Sequence, residues 1–161
     1  MDSKSVNPEN TWYFIYGSNL NRERLEGRLS ELQASYRGKV NCVLEDFAFA
    51  YNKLSVDKSS KGNIYPEKRS RVFGIAILLP RNILDSFIAN FEKGYQQLEV
   101  TVLTLNAGTP DQLRAVTCIS DVLTDAQPSD EYVAAVVDGA RQNKLPVTYI
   151  ETELRCFRKT D

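Results

Sequence analysis

Trp12-Tyr13-Phe14-Ile15-Tyr16-Gly17-Ser18-Asn19-Leu20 begins as a strand and breaks into a turn. Trp12 to Tyr16 is an aromatic and β-branched run, the composition of a buried strand, because such side chains pack well on a pleated surface. Gly17, Ser18 and Asn19 are residue types that let a backbone turn sharply or take positive φ. Beyond them Leu20, Leu25 and Leu29 recur among charges, which predicts a short amphipathic helix. Strand, tight polar turn and helix start gather several backbone N–H groups above the strand end, a nest suited to an anion or a carbonyl oxygen. A plain strand-to-helix connection uses the same residue types, so this stretch alone leaves both readings open.

At 161 residues the chain has the length of one domain. Met1 to Asn10 is polar and contains a proline, which predicts a flexible tail (1–10) ahead of a single domain (11–161). Hydrophobic and charged fractions of 42% and 25% are those of a packed globule, not of a disordered chain. The formal net charge is −1. Lys53, Lys58, Lys61, Lys68, Arg69 and Arg71 fall in one region, but Asp57 and Glu67 interrupt them, so the region reads as a solvated loop and no nucleic-acid partner is expected. Histidine is absent. That removes every Ser-His-Asp or Cys-His nucleophile and every histidine-containing metal site, and leaves carboxylates, hydroxyls, lysine, a thiol or the backbone to do any chemistry. Cys42, Cys118 and Cys156 are far apart and odd in number, and read as reduced core thiols; a reactive cysteine would lack a histidine partner. With no signal peptide and no apolar run of membrane-spanning length, the expected setting is cytoplasmic, with no membrane partner.

Along the rest of the chain, Gly38 to Leu44 and Phe47 to Tyr51 read as strands. Asn52 to Pro66 is polar and reads as a flexible loop, a candidate lid. Arg71 to Leu79 is a strongly apolar strand closed by Pro80, and Gly74 in its middle predicts a bulge or a close backbone approach. Ile83, Leu84, Phe87, Ile88 and Phe91 give Arg81 to Phe91 a helical period. Strands follow over Leu98 to Leu105 and Leu113 to Val122. A helix capped by Ser129 or Asp130 runs through Ala140, and Pro146 and Tyr149 introduce a last short helix. Strands in the majority, without regular βαβ alternation, predict an α+β fold: a mixed, curled, barrel-like sheet flanked by short helices.

Glu92 closes the Arg81 helix after the apolar face of Phe87, Ile88 and Phe91, and precedes Lys93-Gly94-Tyr95. A helix C-terminus carries partial negative charge, and an aromatic neighbourhood desolvates a carboxylate. Both effects raise a pKa toward the value a general base and acid needs, while Lys93 would oppose them if it folded back. A surface glutamate ahead of a glycine C-cap is the plain alternative.

Taken together, these residues resemble the γ-glutamyl cyclotransferase-like family. Tyr16-Gly17-Ser18-Asn19-Leu20 matches its N-terminal signature after a first strand, and Arg71-Val72-Phe73-Gly74-Ile75 its Val-Trp/Phe-Gly-Val strand. Leu84-Asp85 and Phe91-Glu92-Lys93-Gly94 resemble the segment that carries the catalytic glutamate. Asp130-Glu131-Tyr132, Gly139-Ala140-Arg141, Leu145-Pro146 and Tyr149-Ile150 resemble its C-terminal pattern. The likeness spans residues 12–154, in the family's order.

The resemblance implies conversion of a small-molecule L-γ-glutamyl amine or peptide into 5-oxoproline and the free amine, with no metal or other cofactor. It implies Glu92 as catalytic base and acid, and Tyr16, Gly17, Ser18, Asn19, Leu20 and Tyr95 as substrate-binding residues, the turn supplying backbone N–H groups. Tyr16 either lines the pocket or stays in the core, and the side chains of Ser18 and Asn19 either donate or lock the turn. A monomer and a homodimer both fit the resemblance. Two positions depart from it: Lys93 stands where glycine usually follows the glutamate, and Cys118 stands near a usual substrate-binding tyrosine. Those departures keep a second reading in view, a non-catalytic member acting as a small-molecule-binding or interaction module.

Overall fold

Tyr13, Phe14 and Ile15 are buried in the first strand, β1 (Asn10–Ile15), of the computed structural model, which describes residues 9–106 and 108–155. A single 3-10 turn (Ser18–Leu20) and α1 (Arg22–Glu31) follow, and Asn21 caps α1 by accepting the Arg24 N–H at 3.2 Å. β2 (Lys39–Leu54) and β3 (Ser60–Pro80) form one long antiparallel hairpin. Pro80 ends the pairing and α2 (Arg81–Phe91) starts at once. Next come β4 (Gln96–Thr104), β5 (Gln112–Ile119) and α3 (Asp130–Gln142), which Ser129 caps. α4 (Val147–Tyr149) continues into a π-helical turn over Ile150–Leu154.

The strands close into a barrel in the order β1-β3-β2-β4-β5. β5 returns to β1 in parallel, through Trp12 with Ala115 and Tyr13 with Val116, and every other pairing is antiparallel. The fold is therefore the α+β, mixed, barrel-like sheet with short flanking helices that the sequence predicts. Phe14, Ile64, Ile75, Ile77 and Leu79 are buried in the core on the two faces of this sheet, and Phe87 of α2 packs against Tyr13 with ring centroids 5.7 Å apart. Gly74 is a close approach: a Cβ there would lie 2.2 Å from the Ile15 carbonyl oxygen.

Two expectations need correction. Asn52 to Pro66 is not a lid loop; pairing runs from Leu54–Ser60 outward, and only residues 55–59 turn. Its polar composition is compatible with a sheet because Ile64 points into the core and buried Asn63 bonds the backbone of Ser120 in both directions, at 2.9 and 3.0 Å. Gly38 to Leu44 and Phe47 to Tyr51 are one strand, shifted in register between Glu45 and Phe47, where Asp46 has φ 65°.

Residues 1–8 of the expected tail, and Cys156, lie outside the described residues. Asn10 already pairs with Pro80. Cys42 and Cys118 are buried free thiols, and burial pushes them up to about 11 and about 12. No helix among the described residues is long and apolar enough to cross a membrane.

Candidate active site

Helix α2 buries Leu84, Phe87 and Ile88 and ends at Glu92, whose N–H still reaches the Ile88 carbonyl at 2.9 Å. Its last turn holds no basic residue to absorb the partial charge of the helix end. The carboxyl turns into the barrel mouth, where Oε1 accepts from Asn19 Nδ2 at 2.7 Å and from the Tyr13 hydroxyl at 3.4 Å. Asn19 Oδ1 in turn accepts from Arg28 Nη1 at 2.8 Å, and the Arg28 guanidinium lies 5.1 Å from the centre of the Phe91 ring. A chain of polar contacts thus runs from α1 through the 3-10 turn to the end of α2. Burial raises the Glu92 carboxyl above the ordinary glutamate value, against the opposing pull of Arg28, the Tyr13 and Asn19 hydrogen bonds, and Arg24. A carboxyl so placed holds a proton more readily than an exposed one and returns it under mild conditions.

Beside Glu92 lies a small cavity of about 30 Å³. Tyr16, Gly17, Ser18, Asn19 and Tyr95 all line it, together with Tyr13, Cys118 and Tyr132. Tyr16 both belongs to the core and forms the wall: its ring is buried and its hydroxyl donates to the Cys118 carbonyl at 2.7 Å. Asn19, 3% exposed, likewise has two roles, donating to Glu92 and accepting from Arg28. Tyr95 donates to the Gly62 carbonyl at 2.6 Å, and Tyr132 accepts the Gly62 N–H at 2.9 Å. Leu20 is the exception. Its side chain, 1% exposed, lies in the core away from the cavity, and its N–H closes the turn on the Gly17 carbonyl at 3.0 Å. The turn therefore leaves only the amides of Gly17, Ser18 and Asn19 without an acceptor inside it. Gly17 has φ −115°, so the turn does not draw on the left-handed region; a Cβ there would meet only the Tyr132 hydroxyl, at 3.5 Å.

Helix α3 holds this turn from behind. A Cβ at Gly139 would come within 2.3 Å of the Asn21 nitrogen, so only glycine lets the two backbones approach. Asn143, at the end of α3, donates to the carbonyls of Leu20 and Gly139 at 2.9 and 2.8 Å.

A wider vestibule of about 390 Å³ adjoins the cavity and shares Ser18, Glu92, Tyr95 and Tyr132 with it. The hairpin tip at Ser55, Val56 and Asp57 forms part of its wall. Lys53, 8% exposed, donates to the Lys93 carbonyl at 2.9 Å and sits 4.9 Å from the Tyr95 ring centre. Sequence reasoning missed Tyr13, Arg28, Lys53 and Tyr132. The spacing of Arg24 and Arg28, one turn apart on α1, was a readable sign that two cations share a face. Lys93 does not fold back on Glu92; its side chain is exposed, and Arg28 and Arg24 supply the opposing charge instead.

Residues 71–152, just over half of the chain, match the model of the AIG2-like family. The chain is 27% identical over 164 positions to human gamma-glutamylcyclotransferase, covering 99% of this chain and 85% of that protein. A solved gamma-glutamyl cyclotransferase structure superposes with a TM-score of 0.79 at 25% identity, covering 95% of this chain and 90% of that one. A gamma-glutamyl cyclotransferase specific to glutathione from yeast superposes with a TM-score of 0.67 at 12% identity, covering 90% and 94%, a likeness of fold alone.

Proposed function

The chain belongs to the AIG2-like family, and from that membership and its site we propose that it is a γ-glutamyl cyclotransferase with Glu92 as general base and acid. The observation that carries the reading is a carboxyl raised by burial, bonded to Asn19 of the 3-10 turn and facing a small cavity. The substrate's α-ammonium gives a proton to Glu92, and its nitrogen attacks the γ-carbonyl carbon to close a five-membered ring. Glu92 passes that proton to the amide nitrogen as the old carbon–nitrogen bond breaks. The ring nitrogen then loses a second proton through Glu92 to the departing amine, leaving 5-oxoproline and an ammonium. Atoms and charge balance with no water consumed, and no metal or other cofactor enters the reaction. Nucleophile and electrophile belong to one molecule, so much of the rate comes from fixing their conformation. The amides of Gly17, Ser18 and Asn19 are suited to the oxyanion or the α-carboxylate.

The test is 5-oxoproline release, by mass spectrometry, from γ-glutamyl amino acids, γ-glutamylamines and glutathione. Glu92→Gln keeps size and hydrogen-bonding shape but cannot carry the proton, and is expected to lower kcat by roughly 10²–10⁴ with the fold intact. Variant activity within a few-fold of the parent would remove Glu92 from the role. Ligand binding without product release would favour a non-catalytic binding module.

A further inference from the structure

The vestibule outside the cavity is lined by more positive than negative side chains. Arg24, Arg28, Lys53, Lys61 and Lys93 line it, against only Asp57 and Glu92. None of these cations is in an ion pair among the described residues. Arg24 Nε is buried with no hydrogen-bond partner, and a buried donor left unmade is costly unless something else binds it. Arg28 Nη1 is engaged by Asn19, and Lys61 rests 4.5 Å from the Tyr132 ring centre. The cations also oppose one another: burial and then Arg24 lower Arg28, and burial lowers Lys53, with Lys61 adding to it against the opposing pull of Glu92. Asp57 offsets only part of the excess: its carboxyl, held by Ser59 within the hairpin tip at 3.0 and 2.6 Å, stays ionised and attracts Lys61, and the balance remains positive.

Resting on the proposed reaction, we infer that the amine released from the substrate is an acidic amino acid, whose two carboxylates sit in the vestibule against Arg24, Arg28, Lys53 and Lys61. Glu92, which lines both the cavity and the vestibule, divides the substrate. The glutamyl half, zwitterionic and neutral overall, lies on the cavity side of Glu92, and the half that leaves lies on the vestibule side. A neutral amino acid brings one negative charge to five cations and two carboxylates; an acidic one brings two. Cations in a confined mouth attract the more highly charged ligand, and salt weakens that attraction.

The test compares γ-glutamyl-glutamate with γ-glutamyl-glutamine, which match in shape and differ by one charge. The parent is expected to favour the glutamate dipeptide about tenfold in kcat/KM at low ionic strength, and to lose most of that preference at about 1 M salt. Arg24→Gln/Lys61→Gln is expected to bring the ratio close to one, and Lys61→Gln alone to lower it, so that one misfolded variant does not decide the matter. Equal parent constants for the two dipeptides, or a ratio indifferent to salt, overturn the inference. Absence of turnover for both dipeptides counts against the reaction instead. The same ratio is then read from Kd by calorimetry on Glu92→Gln: glutamate-selective binding upholds the vestibule's specificity, and equal binding removes it.

Discussion

Asn19 uses both ends of its amide, Nδ2 toward Glu92 and Oδ1 toward Arg28, so neither a flipped amide nor an aliphatic side chain can replace it. A hydrogen bond to a charged group contributes about 1.5–3 kcal/mol, so Asn19→Ala is expected to lower turnover roughly tenfold to a hundredfold. The same bond favours the ionised carboxylate, so its loss raises Glu92 further, and the acid limb of the kcat/KM profile moves to higher pH. An unmoved limb would mean that Asn19 acts on shape alone. Glu92 itself carries a linked effect on stability. Its folded-state value lies above the unfolded one, so the native state binds more protons between the two, and stability falls as pH rises through that interval. Glu92→Gln has no such group to ionise. Its thermal midpoint is expected to match or exceed that of the parent above the interval and to converge with it below, whereas a midpoint well below the parent's at pH 8 would contradict the burial account.

Between elements, the decisive contact is α3 against the 3-10 turn. Gly139→Ala would force these backbones apart, and overpacking of this kind costs typically about 1–3 kcal/mol. Because the displaced turn carries Asn19, both kcat and the thermal midpoint are expected to fall, while Gly27→Ala on α1, where a Cβ meets nothing within 4 Å, should leave both near the parent values. Local elements were legible in the sequence for a physical reason: the strand, turn and helix at residues 12–29, and the Glu92 cap of α2, are set by neighbours within a few positions. The polar chain was not legible, since Asn19 and Glu92 are 73 positions apart and meet only when the barrel closes. The hairpin over residues 52–66 reads as a loop because buried Asn63 looks like loop chemistry until Ser120 is beside it. Leu20 looked like part of the signature's binding surface because a motif names positions without saying which way they face.

At the scale of the molecule, the barrel is closed by unequal seams. β2 and β3 share fourteen residue pairs, whereas β2 and β4 share two, and β1 and β5 share two that run parallel, a pairing slightly weaker per residue. Side chains reinforce that short seam: Thr117 Oγ1 donates to the Phe14 carbonyl at 2.8 Å, and Tyr16 reaches Cys118. The cavity lies along the same seam, with Phe14 and Tyr16 on one side and Thr117 and Cys118 on the other. Local opening begins where the fewest interactions must break, and a ligand bound only to the closed form suppresses it. Backbone amides of β5 are therefore expected to exchange with deuterium faster than those in the middle of the β2–β3 hairpin, and to slow when a γ-glutamyl compound fills the cavity. One of the barrel's two thinnest joins thus doubles as a built-in reporter of occupancy, readable without a dye or a single turnover.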